Sequence, residues 1–297
     1  MKLGRYIVIF LGVLGGAWLA FGDTVSRRLG DVEIKTAREV DDNATPTWPV
    51  DPDFQKDVFT FARAQYVVEG RYRKGRERSG LGHTPNRWAI DFPACDLDIS
   101  YRLQQMTSIK VDPDARVLKI TDTNLFQYPF IYIVEPGRGF LTDEEVPVIR
   151  KYLLNGGFIM FDDFWGDAEW ETFSEEMKRL FPEDKFPKQT IADLPLEHPV
   201  FHTVFDLKEQ PQVPGIEWLK YYQSRGTTYE FKEDGAETVH YRGISDDKGR
   251  LMVLICHNTD LGDGWEREGD NQDYFRIFSE PKAFPMGINA IVYAMTH

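Results

Sequence analysis

Cysteine is scarce: Cys95 and Cys256 are the only two in 297 residues. That excludes a disulfide-stapled scaffold and leaves one candidate bridge, which an exported location would permit. Two unpaired, buried small hydrophobes are the plainer reading. Cations are also in deficit, with 35 Lys and Arg against 48 Asp and Glu and a formal charge of -13. Such a surface repels a phosphate backbone, so nucleic acid is excluded as a partner. No internal repeat is visible, and no cysteine lies near the amino terminus to carry a lipid.

What is present is enough apolar material for a large core, at 42% hydrophobic and 14% aromatic residues. The chain is globular, with three parts: residues 1–30 as a membrane anchor or uncleaved signal segment, 31–53 as a linker, and 54–297 as a single α/β domain. Lys2 and Arg5 precede an uncharged run from Tyr6 to Gly22, and Arg27 and Arg28 follow it. At about seventeen residues that run is at the lower limit for a bilayer span. It predicts a single-pass anchor in a bacterial inner membrane, through residues 6–22, with the following domain on the periplasmic side. Ala20-Phe21-Gly22 would also suit a signal peptidase, which leaves a secreted form as an alternative. Asp41-Asp42-Asn43 with Pro46, Pro49 and Pro52 reads as an extended linker.

Within the domain, Phe59–Val67 alternates like a strand, and Asp96–Thr107 has helical spacing with Asp96 or Asp98 as cap. Between them Arg71-Tyr-Arg-Lys-Gly-Arg-Glu-Arg78 places five cations in eight positions, read as a solvated loop. Phe130–Val134 is a buried strand. Thr142-Asp-Glu-Glu145 forms a capping box for a helix over Glu145–Leu154, stopped by Gly156-Gly157. A strand from Phe158 runs into Asp162-Asp163-Phe164-Trp165-Gly166, and a helix covers Ala168–Leu180. After a weakly periodic stretch, Asp246-Asp247-Lys248-Gly249 reads as a hairpin turn. Leu251–Cys256 is a strand ending in His257-Asn258-Thr259-Asp260-Leu261-Gly262-Asp263. Met286–Met295 is a covering helix. Strand, helix, strand, helix is the order of a parallel sheet with crossover helices.

Buried strands that end abruptly in polar residues mark the edge where open α/β sheets bind ligands. The candidate ligand-binding cluster is therefore Asp162, Asp163, Trp165, His257, Asn258, Asp260 and Asp263. Asp162, Asp163, Asp260 and Asp263 offer hard oxygens for calcium or magnesium, with Asn258 adding an amide oxygen. The competing reading is a structural hydrogen-bond network, because Asp and Asn also cap helices and tolerate unusual backbone angles. No cofactor is predicted beyond such a cation. His198 and His202 are four apart, but Pro199 and the absence of a third ligand favour structural histidines over zinc. Trp165, Trp170 and Trp265 beside the acids would suit a groove or an interface, and a core of large rings is the plainer reading.

Arg87-Trp-Ala-Ile-Asp91-Phe92-Pro93, Asp96, Arg102, Tyr128–Tyr132, Glu135-Pro-Gly137, Leu153–Gly166, His198–His202, Gly249-Arg-Leu251, His257–Glu266 and Gly287–Tyr293 together resemble the bacterial domain of unknown function 4159. That resemblance covers roughly Phe54–His297. It implies a flavodoxin-like fold related to class I glutamine amidotransferases, with no assigned activity. Those enzymes place a nucleophilic cysteine on a strand-to-helix turn. Here the matching turn carries Asp162-Asp163 instead, and catalytic residues are read as none. The expected role is a non-catalytic, membrane-anchored binding or assembly subunit, with protein partners in a larger membrane complex such as a respiratory or photosynthetic one. A divalent-metal-dependent hydrolase or transferase and a secreted carbohydrate-binding module are the alternatives.

Overall fold

A computed structural model describes residues 33–41, 45–54, 57–66, 87–231 and 233–297. The proposed anchor at residues 6–22 and the basic run at 71–78 lie outside the described residues. Among the described residues, no helix is long and apolar enough to cross a membrane.

The fold is mixed α/β, built on one seven-stranded sheet. In chain order the strands are β1 (Ala62–Gln65), β2 (Arg116–Lys119), β3 (Phe130–Val134), β4 (Phe158–Asp162), β5 (Ala192–Asp193), β6 (His240–Ser245) and β7 (Leu251–His257). Across the sheet they run β2-β1-β3-β4-β7-β6-β5. The first five of these are parallel and the last two pairings are antiparallel. Parallel neighbours need crossovers, which include α1 (Ala94–Met106), α2 (Glu145–Leu154) and α3 (Gly166–Leu180). Further along lie α4 (Leu219–Arg225), α5 (Leu261–Glu266), α6 (Gln272–Tyr274) and α7 (Phe284–Thr296).

Strand β4 shows why both faces are covered. All five of its residues are buried, and successive side chains point to opposite faces. Phe158 packs on Tyr293 of α7 and Asp162 accepts from the Gly262 N–H of α5, while Phe161 packs edge-on to Phe173 of α3. One face is thus lined by α5 and α7 and the other by α3. Such doubly covered strands are continuous apolar runs.

Local signals explain several boundaries. The expected capping box closes in both directions: the Thr142 N–H donates to Glu145 at 2.8 Å, and the Glu145 N–H donates to Thr142 Oγ1 at 3.3 Å. Asp246 Oδ1 accepts from the N–H groups of Lys248 and Arg250, which makes the hairpin turn between β6 and β7.

Other expectations are corrected. Asp96 does not cap α1, whose cap position is Pro93 with no side-chain bond; Asp96 is instead consumed by a buried arginine described below. The described residues of the segment read as a linker pack on the domain, for Ile34 and Ala37 join the core, Thr36 bridges Arg116 at the β2 edge, and Ala37–Glu39 forms a 3-10 turn. Arg38 fastens it, donating to Asp114 through its backbone and to the carbonyls of Pro113, Thr45 and Pro46 through its side chain. The terminal helix is preceded by a π-helical stretch, Phe275–Ala283, with Pro281 inside it. Proline has no N–H for an α-helical bond, and a widened turn accommodates it. The two cysteines are free and buried.

Candidate functional site

Three neighbouring strands, β3, β4 and β7, are each followed within a residue by a non-glycine residue of positive φ: Glu135 (48°), Asp163 (53°) and Asn258 (62°). A fourth, Asp91 (60°), lies in the connection from β1 to α1. Left-handed backbone costs an ordinary side chain free energy, and Asp and Asn tolerate it best. At this edge the chain turns sharply, and short polar side chains gather over the carboxyl ends of the strands.

Asn258 anchors the turn after β7. Its Oδ1 accepts from the Gly166 N–H at 2.8 Å, and its amide donates to the carbonyls of Gly235 and Thr238 at 2.8 and 2.7 Å. That amide oxygen accepts from the first residue of α3, which gives Asn258 a structural role in the turn. His257 is held as firmly. Its Nε2 lies 3.1 Å from the Gly166 carbonyl and its Nδ1 3.3 Å from the Arg242 guanidinium, with the ring stacked on Phe164 and Trp170. Burial drives its pKa down to about 3, so the imidazole is neutral at physiological pH.

The acids divide into two kinds. Asp162 turns inward: its Oδ2 accepts from the Tyr132 hydroxyl at 2.9 Å and the Gly262 N–H at 3.0 Å, and no donor among the described residues reaches its Oδ1. Burial lifts its pKa to about 7 against the pull of those hydrogen bonds. Asp163 follows it with the opposite direction, its Oδ1 accepting from Trp165 Nε1 at 2.9 Å. Asp260 caps α5 by accepting from the Asp263 N–H at 2.7 Å. Asp263 takes the Arg267 Nε–H at 2.9 Å on one oxygen and the Ile216 N–H and Tyr274 hydroxyl on the other.

Two triads of carboxylates converge. In each, oxygens of all three residues lie within 4.8 Å of one another: Asp91, Asp163 and Asp260 form one, and Asp91, Asp263 and Glu266 the other. Gly262 makes room for the convergence. A Cβ there would stand 2.7 Å from the Tyr132 hydroxyl, 2.8 Å from Asp91 Oδ2 and 3.6 Å from Asp260 Oδ1. Desolvation and mutual repulsion raise the pKa values of Asp91 and Asp260 well above the carboxylate range, and that of Glu266 to about 8.

Asp91 is positioned from beneath by Arg63 of β1, which is wholly buried. Its Nε donates to Asp96 at 2.9 Å, and its Nη1 to the carbonyls of Trp88 and Ile90, both at 2.9 Å. The guanidinium lies 5.0 Å from the Tyr132 ring centre. Beside it, Arg87 pairs with Glu135, and the Tyr66 hydroxyl donates to the Val134 and Glu135 carbonyls.

A family model for a domain of unknown function, DUF4159, matches residues 79–295. The chain belongs to that family. Among curated proteins none matches the chain. The DUF4159 span contains every acid of both triads and begins after β1, so Arg63 lies outside it.

Of the seven residues expected from the sequence of this DUF4159 domain, Asp163 and Asp260 meet in one triad and Asp263 stands in the other. Asp162 belongs to neither, because its side chain leaves the strand on the opposite face from Asp163. Trp165 is buried and serves as a donor to Asp163. Asp91 and Glu266 were not in the expected cluster. Both lie within the sequence blocks that resemble DUF4159, a signal that could have found them.

Proposed function

We propose that this DUF4159 domain is a non-catalytic, membrane-anchored periplasmic unit that serves as a binding or assembly subunit of a larger bacterial membrane complex. Its sheet is read as flavodoxin-like, related to class I amidotransferases. The order of its parallel strands, second, first, third, fourth and then the last of the chain, supports that reading.

One observation supports the non-catalytic part: among the described residues, no strand end offers an activated thiol. Burial raises the thiol pKa of both Cys95 and Cys256 well above the ordinary value, and a thiol is not a nucleophile until ionised. Cys256 lies within β7 and points away from the neutral, immobilised His257. The strand-to-helix turn after β4 presents Asp163, Phe164 and Trp165, all buried. Extraction of the full chain in mild detergent, followed by affinity capture, tests the subunit role. Co-purification of the same membrane proteins in each preparation supports it, and recovery of a lone monomer overturns it.

The convergence of Asp91, Asp163 and Asp260 favours a second reading, a divalent-metal-dependent hydrolase or transferase. Turnover of ester, amide or phosphoester substrates that requires added metal and is lost in Asp163→Asn would establish it over the first.

A further inference from the structure

We infer that the rings of Trp218, Tyr221, Tyr229 and Phe231, flanked by Lys220 and Arg225, form the surface through which the domain rests on the headgroup layer of a phospholipid bilayer. The inference rests on the membrane-anchor reading above and adds to it the face that meets the lipid.

The cluster begins with helical spacing. Trp218 closes a 3-10 turn, and Tyr221 and Arg225 follow it at three and seven positions along α4, so the three share one stripe. The opposite stripe faces inward: Leu219 is buried and Tyr222 packs on Phe278. Phe231 completes the outer stripe. Its ring centre lies 5.2 Å from Trp218, 5.2 Å from Tyr221 and 5.0 Å from Tyr229, and it is 41% exposed. The other three rings are half-buried. Among the described residues, no other exposed large hydrophobic gathers three rings.

Charge selects lipid as the occupant. At -13 the chain is repelled by anionic lipid over most of its surface. A domain held close to such a bilayer therefore turns toward it a face whose charges are cationic. Helix α4 carries Lys220 and Arg225 and no acid. Their charged groups lie 5.0 and 5.9 Å from the Tyr221 ring centre, while the Glu217 carboxylate folds back over Gly215. Trp and Tyr settle at the headgroup level of a bilayer, where anionic lipid gives each Lys or Arg about a fivefold bias toward the surface.

The proposed anchor is close enough to impose that contact. Ten residues separate Gly22, the end of the uncharged run, from Glu33, where the described chain begins, and they span at most about 35 Å. From there the 33–41 segment packs on α1. Arg102 of α1 bonds Glu268 and lies 5.6 Å from the Phe275 ring centre, and Gln223 of α4 donates to Asp273 at 3.3 Å. The root of the tether and the ring cluster thus join one row of packed elements.

The test reconstitutes the full chain in vesicles of phosphatidylglycerol and phosphatidylcholine, the latter brominated near the headgroup so that it quenches adjacent tryptophan. Trp18 lies within the uncharged run and Trp218 within the cluster, which separates the two readings. Trp18→Phe should leave emission that the brominated lipid still quenches, and adding Trp218→Phe should remove most of that quenching. In the Trp18→Phe background, Lys220→Gln and Arg225→Gln should each lower the ratio of docked to free domain about fivefold, read as a loss of quenching. Phe231→Ser should lose quenching too, with the co-purifying membrane proteins unchanged. Quenching in the Trp18→Phe chain that is absent, or that survives Trp218→Phe undiminished, overturns the inference and leaves the anchor standing wherever Trp18 itself is quenched. Absence of quenching through Trp18 overturns the anchor and the inference together. Loss of the co-purifying proteins in Phe231→Ser, with lipid quenching retained, assigns the rings to a protein interface and also overturns it.

Discussion

Replacing Asp96 with asparagine isolates the interaction that supports the whole edge. Arg63 and Asp96 both have 0% side-chain exposure and pair across the space between β1 and α1. Burial opposes the guanidinium charge, but Asp96, with smaller contributions from Cys95 and Tyr132, holds the Arg63 pKa above its usual value. Asp96→Asn keeps shape and one acceptor while deleting the countercharge, so Arg63 remains ionised, buried and uncompensated. Breaking a buried pair from one side costs about 3–5 kcal/mol, which in a domain of this size corresponds to a Tm fall of about 10 °C. Urea unfolding followed by tryptophan fluorescence measures it: the midpoint should fall with the slope unchanged. The double replacement Arg63→Met with Asp96→Leu should recover most of the loss, since two apolar groups of similar volume leave no charge behind. The single variant should also weaken any cation response, because the same guanidinium holds the Trp88 and Ile90 carbonyls that bracket Asp91. A loss below about 1 kcal/mol for Asp96→Asn would refute the reasoning, since it would mean the charge is solvated or already neutralised.

Three further outcomes follow from the same geometry. In chelator, stability should decline from pH 5 to pH 8: Asp162 titrates near 7 and Asp98 and Glu266 near 8, all raised mainly by burial. Such groups stabilise fully below their unfolded pKa and cease to do so once pH passes the folded value. Burial lowers His198, His240 and His257, which act in the opposite sense only below the usual imidazole value near 6.5; a Tm that rises steadily from pH 7 to pH 8 would contradict this. Gly262→Ala should destabilise by about 1–3 kcal/mol in thermal melts, because the new methyl has no room to enter, meeting the Tyr132 hydroxyl at 2.7 Å and Asp91 Oδ2 at 2.8 Å. A thiol reagent should modify neither Cys95 nor Cys256 in the native chain and both after denaturation; rapid native labelling of either would reopen the nucleophile question.

Much of the framework was legible in the residues alone. The strand over Phe130–Val134 and the helix over Glu145–Leu154 match the structure end to end, because a fully apolar run and a closed capping box are local signals. The Asp246–Gly249 turn was readable for the same reason. By contrast, β5, two exposed residues at the sheet edge, and β6, between β5 and β7, were not placed beforehand, because the stretch from Pro182 to Gly249 carries no steady hydrophobic period. The packing of the 33–41 segment on the β2 edge was not legible, because it resides in a few contacts, Ile34, Ala37 and Arg38, with no periodicity.

The site divides along the same line. Membership in the DUF4159 family, the parallel α/β order and the acidic character of the strand ends were all determined by the sequence, since each depends on residue identity and near neighbours. Only the tertiary structure decided which acids meet. Asp162 and Asp163 are adjacent yet diverge, because successive side chains of a strand face opposite ways and Asp163 then turns left-handed. Asp91 arrives from the far upstream connection after β1, carried there by a buried arginine whose partners no local pattern could name.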